Sequence, residues 1–154
     1  MIPEFKNLNE EEVNLMLNAP ILVTILIAGA EGKIEEKETD WGAKIIHFRA
    51  EDNDFVLQSY FVDVDIIFKD SMKEYLEKLP LDVNERTEKI NSELIKINKI
   101  LPKLDNNFAS AFYNGLIGLS KQVAKSSGGI WGYGSISAEE QKLIDLDVIA
   151  PPKN

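Results

Sequence analysis

An all-α fold, a compact bundle of five to seven helices with pseudo-symmetric helix hairpins, is what this sequence predicts. Three observations predict it. Leu57, Phe61, Val64, Phe68, Met72, Tyr75 and Leu79 recur at steps of three and four, the period of one helix face held for more than six turns. Residues that cap and stop helices, such as Asn9 ahead of Glu10–Glu12 and Gly32 after an apolar run, punctuate the chain. The connections between periodic segments are short and no stretch has the length of a linker, so residues 1–154 read as a single helical domain.

Taken in order, Asn9 is an N-cap followed by three acids that oppose the helix dipole, and the first helix continues through Val13, Met16 and Leu17. Pro20 has no amide hydrogen and predicts a break or kink, with the helix restarting there and running to about Ala30. A second helix is predicted over Glu35–Ala50 with Trp41, Ile45 and Phe48 on one face, then a turn at Glu51–Asp54. The third carries the long stripe. Within it, Phe61–Ile66 alternates apolar and acidic residues as a short strand would, but the longer helical period overrides this.

Pro80 and Asp82 mark a loop, after which Ile90, Leu94, Ile97, Leu101 and Leu104 form another stripe that Pro102 bends or ends. A helix over about Asn107–Lys125 is built on Phe108, Phe112, Leu116, Leu119 and Val123. Its Ala111, Gly115 and Gly118 are small enough to let a neighbouring helix approach. The loop SSGGIWGYGS precedes a last helix predicted over Ser137–Ile149, and PPKN is a solvated tail.

Composition removes several chemistries. The chain has no cysteine, which excludes disulfides, thiolate zinc sites and thiol nucleophiles. The net charge of −9 repels phosphate backbones, and no Lys/Arg stripe offsets it, so nucleic acid is not an expected partner. MIPEFKNLNEEEV lacks the basic start and apolar core of a secretory signal. The most apolar stretch, Pro20–Ala30, falls short of the roughly 20 residues that span a bilayer. The expectation is a cytoplasmic protein that does not cross the membrane.

Two places share the pattern Gly-x-Ile-x-x-x-Glu, at Gly32, Ile34 and Glu38 and again at Gly134, Ile136 and Glu140. Each follows one helix and opens another. With the apolar helix ILVTILIAGA before the first copy and Ala30-Glu31-Gly32 leading into it, the chain resembles the TerB-like family, helical domains named for a tellurite-resistance protein. The resemblance covers most of the chain. Glu31 stands where the family carries Asp, and Tyr133 stands where the second copy carries an acid. The resemblance implies a divalent-metal site built from these acids and a role in stress-response or membrane-associated assemblies.

The candidate metal ligands are Glu31, Glu38 and Glu140. An all-oxygen set of this kind suits a hard cation, calcium or magnesium. Helix capping explains the same acids. Ser137–Glu140 matches a capping box, and Glu35, Glu36 and Glu38 sit where acids favour a helix start. In the glycine-rich loop, Trp131 and Tyr133 offer two amphipathic faces for a protein partner or for packing back onto the bundle. His47 is the lone histidine, and no nucleophile motif accompanies it. The sequence thus reads as a non-enzymatic interaction or cation-sensing module. Its alternatives are a metal-free interaction domain using Trp131 and Tyr133, and a small hydrolase with a carboxylate pair.

Overall fold

Helix α1 (Glu10–Ala28) is the axis around which the rest is arranged. The computed structural model describes residues 2–52, 56–126 and 141–152, and those residues form no strand. The other described helices are α2 (Glu36–Glu51), α3 (Gln58–Lys78), α4 (Val83–Leu94), α5 (Ile97–Ile100) and α6 (Asn106–Ser126). All of them touch α1. The all-helical prediction holds. The second Gly-x-Ile-x-x-x-Glu copy lies outside the described residues, and so does the pairing of hairpins it implied.

The start of α1 is a reciprocal cap. Asn9 accepts from the Glu12 amide at 2.8 Å, and Glu12 accepts from the Asn9 amide at 2.9 Å. Lys103 adds an ion pair to Glu12 at 2.6 Å, and that pair, with the Asn9 bond, holds the Glu12 carboxyl below its usual range. Every residue from Ala19 to Ala28 is buried, which explains why this stretch is apolar all round. By length and composition alone α1 would cross a membrane, but here it is the shared core helix.

The break expected at Pro20 does not occur. α1 runs through it, because the carbonyl of Met16, deprived of its helical amide by Pro20, accepts from the Tyr60 hydroxyl at 2.5 Å. Tyr60 is fully buried and stands edge-on to Phe5, Phe61, Phe108 and Phe112.

α2 and α3 form an antiparallel hairpin. Gln58 donates to the Ala50 carbonyl at 3.1 Å near the link, and His47 meets Asp65 one step further along. The stripe on α3 faces inward as expected, with Phe61, Val64, Phe68 and Met72 buried. On α2 the expected face is wrong. Ile45 is buried, but Trp41 is 43% and Phe48 73% exposed. The buried face of α2 runs instead through Glu38, Thr39, Gly42, Ile45 and Ile46. Gly42 is the close-approach point, since a Cβ there would lie 2.7 Å from Thr24 Cγ2 on α1. A stripe that includes a glycine, a threonine and a glutamate is invisible to a search for apolar side chains.

The stripe Ile90, Leu94, Ile97, Leu101 and Leu104 is buried, but it spans α4, α5 and a 3₁₀ turn (Leu101–Lys103) instead of one helix. Asp82 caps α4 by accepting from the Glu85 amide at 2.9 Å. Asp105 caps α6 through the Asn107 and Phe108 amides.

The last helix predicted to Ile149 does not persist. Residues 142–145 are turns, and Leu146 has a φ of 46°, in the left-handed region. Tertiary bonds hold this segment. Ser120 donates to the Ile144 carbonyl at 2.6 Å. Asn98 donates to the Val148 carbonyl and accepts from the Ala150 amide, both at 2.8 Å. Ile144, Leu146 and Ile149 are thereby sunk into the core.

Candidate functional site

The turn that follows α1 carries the first Gly-x-Ile-x-x-x-Glu copy, and each of its residues has a structural task. Gly32 has a φ of 110°, which only glycine adopts without strain. Ile34 packs against the core, and Glu38 is buried in the first turn of α2. Glu31, by contrast, is exposed in the turn. The feature that organises this turn is one the sequence did not announce. Arg86 on α4 donates to the carbonyls of Gly29 at 2.8 Å, Gly32 at 2.9 Å and Leu81 at 3.2 Å. Helix α1 has no basic residue in its last turn, so Arg86 brings the positive charge that its C-terminal dipole lacks. Gly29 makes room for it, because a Cβ there would sit 2.5 Å from Arg86 Nη2.

Glu140, Trp131 and Tyr133 lie outside the described residues. Among the described residues no group of three or more His, Asp or Glu side chains could hold a metal ion. At the turn itself, the Arg86 guanidinium holds the carbonyls of Gly29 and Gly32.

A different surface gathers groups that can act on a ligand: the outer side of the α2–α3 hairpin. Phe48 and Ile66 project there, at 73% and 74% exposure, over a groove also lined by Asp40, Lys44, His47, Glu51, Asp65, Lys69 and Asp70. Trp41 and Phe48 line a second depression against Arg49 and Gln122, on the other flank of α2. Val62, one helical turn before Ile66, is 40% exposed and extends the patch.

His47 is held on both ring nitrogens, Nδ1 at 2.8 Å from Asp65 and Nε2 at 3.0 Å from Glu51. The Asp65 hydrogen bond, then the charges of Asp65 and Glu51, raise its pKa above the usual histidine value. In the imidazolium form both nitrogens donate and both carboxylates accept. No ring lone pair is then left to act as a general base. His47 is an exposed residue of α2.

Arg49 crosses from α2 to α6. It donates to the Gly115 carbonyl at 2.9 Å and to Gln122 at 3.2 Å, with its guanidinium 5.1 Å from the centre of the Phe61 ring. The small residues Gly115 and Gly118, expected to admit a helix, in fact admit this side chain.

No family model, curated protein or solved structure matches the chain.

Sequence reasoning missed Arg86, Arg49 and the exposed Phe48–Ile66 pair. A signal for the last existed. Trp41, Lys44, Phe48 and Glu51 recur at helical spacing and mix charge with aromatics, as a surface stripe does.

Proposed function

We propose that this chain is a non-enzymatic protein-interaction module whose contact face is the outer side of the α2–α3 hairpin. The carrying observation is that Phe48 and Ile66 stand about three-quarters exposed over one groove, with the exposed Val62 one helical turn from Ile66. Large apolar side chains clustered on a surface mark interaction sites, whereas scattered ones do not. Each such side chain contributes about 1.5–3 kcal/mol when a partner buries it fully. A fold whose core is already complete gains nothing internally from exposing them.

The test uses fluorescein-labelled amphipathic helical peptides of about 18 residues, five turns, that share a leucine face. Their polar faces are lysine, glutamine or glutamate. Binding is followed by anisotropy on the wild type and on a Phe48→Ser, Ile66→Ser variant. The reading requires that at least one peptide binds the wild type and loses about tenfold or more in affinity on the variant. Equal binding to both proteins, or no binding to either, contradicts it.

A further inference from the structure

The charges around the groove say what kind of segment it takes. Resting on the interaction reading above, we infer that the partner is a basic amphipathic helix, with apolar anchors over Phe48 and Ile66 and Lys or Arg residues against the acids at the two ends of the groove.

Four carboxylates line it, Asp40, Glu51, Asp65 and Asp70, against two ammonium groups, Lys44 and Lys69, and the His47 ring that bridges Glu51 and Asp65, which leaves one negative charge in excess when that ring is protonated. Their placement is not uniform. Because α2 and α3 are antiparallel, Asp40 and Asp70 fall towards one end while Glu51 and Asp65 fall towards the other. Asp40 and Glu51 are eleven positions apart on α2, about 16 Å along its axis. A helix lying in the groove would cover that length in about three turns, so cations at i and i+11 would face one acidic end each. Lys44 and Lys69 also line the groove, where the partner would present its apolar face or an acid.

The apolar anchors fit the same geometry. Phe48 and Ile66 come from opposite walls, so a side chain entering between them meets an aromatic ring on one side and a branched aliphatic on the other. Partner anchors spaced i, i+3 or i+4 and i+7 follow such a groove. The acidic rim then adds rate and selectivity, since complementary charges steer encounter and reject partners of the wrong sign.

A second copy of this chain fits less well. An isologous contact would set Asp40, Glu51, Asp65 and Asp70 against acids of the same face, on molecules each carrying a net charge of −9. An anionic lipid surface meets the same repulsion.

The experiment ranks the three peptides named above on the wild type and on a variant with Asp40→Asn, Asp70→Asn, Glu51→Gln and Asp65→Asn. Asp40, Glu51 and Asp70 are exposed and Asp65 is half-buried against His47, and circular dichroism checks that the variant is folded. The expected result is tightest binding by the lysine peptide, weakest by the glutamate peptide, and a gap between them that shrinks about tenfold or more in the charge variant. Added salt should narrow the same gap in the wild type. Equal affinities for lysine and glutamate peptides, each still lost on Phe48→Ser, Ile66→Ser, overturn the basic partner while leaving the contact face intact. Binding insensitive to Phe48 and Ile66 overturns both. Attachment to phosphatidylcholine vesicles through Phe48 and Ile66, without peptide binding, also overturns the inference.

Discussion

The hydroxyl of Tyr60 donates to the carbonyl of Met16, the one acceptor in α1 that Pro20 deprives of its helical partner. A proline is thus carried in the middle of the central helix without a break, because a side chain from α3 completes the bond. Burial also pushes the Tyr60 phenol well above its ordinary pKa, so it stays a donor.

Tyr60→Phe should therefore lower unfolding stability by about 1–3 kcal/mol, the cost of a buried carbonyl left unpaired. In a Pro20→Ala background the restored amide satisfies Met16, and the same substitution should cost less, with coupling of order 1 kcal/mol. Urea unfolding of the four proteins measures this. Additive effects would show that the bond is incidental.

Arg86→Met should destabilise by about 2–3 kcal/mol, since the carbonyls of Gly29 and Gly32 lose a charged donor in a buried place. Gly29→Ala should also destabilise the wild type, because its Cβ collides with Arg86 Nη2. In the Arg86→Met background the added penalty from Gly29→Ala should be smaller. Thermal melts of the single and double variants decide it.

How much of this could be read from the chain depends on whether the signal was local. The stripe of α3 and the Asn9 cap involve neighbours in sequence and were legible. The continuity of α1 was not, because it is secured by a tyrosine forty positions away. The fate of residues 142–149 was not either, since Asn98 and Ser120 hold that segment against its helical pattern. The α2 face was misread for a different reason. Gly42 and Thr24 bring α1 and α2 together, and small residues leave no mark in an apolar count. Arg86, which binds the carbonyls of Gly29 and Gly32 beside the first Gly-x-Ile-x-x-x-Glu copy, carries no motif of its own.

Calcium or magnesium added to chelator-stripped protein should leave the melting temperature unchanged, because Arg86 already provides the positive charge at the turn. A ligand that binds only the native state must raise that temperature. A saturable rise that disappears in a Glu31→Gln, Glu38→Gln variant would restore a cation site there.

His47 is the only histidine in the chain, so its ring protons report one titration. Its midpoint should lie above about 6.5, the unperturbed value, because Asp65 and Glu51 favour the charged form. A folded pKa raised above the unfolded one gives stability that is complete below the unfolded value and fades as pH rises through the folded value. The stability difference between wild type and His47→Gln should accordingly be larger at about pH 5.5 than at about pH 8.5. A midpoint below the unperturbed value would show that the two ion pairs do not form in solution.

The most direct test of the contact face is chemical-shift mapping, in which the lysine-faced amphipathic peptide is titrated into ¹⁵N-labelled protein. The account predicts that the largest changes fall on the amides of Phe48, Asp65 and Ile66, with α4 and α5 unmoved. Changes concentrated at Trp131 and Tyr133, with the α2–α3 face silent, would contradict it and move the docking surface to the glycine-rich loop.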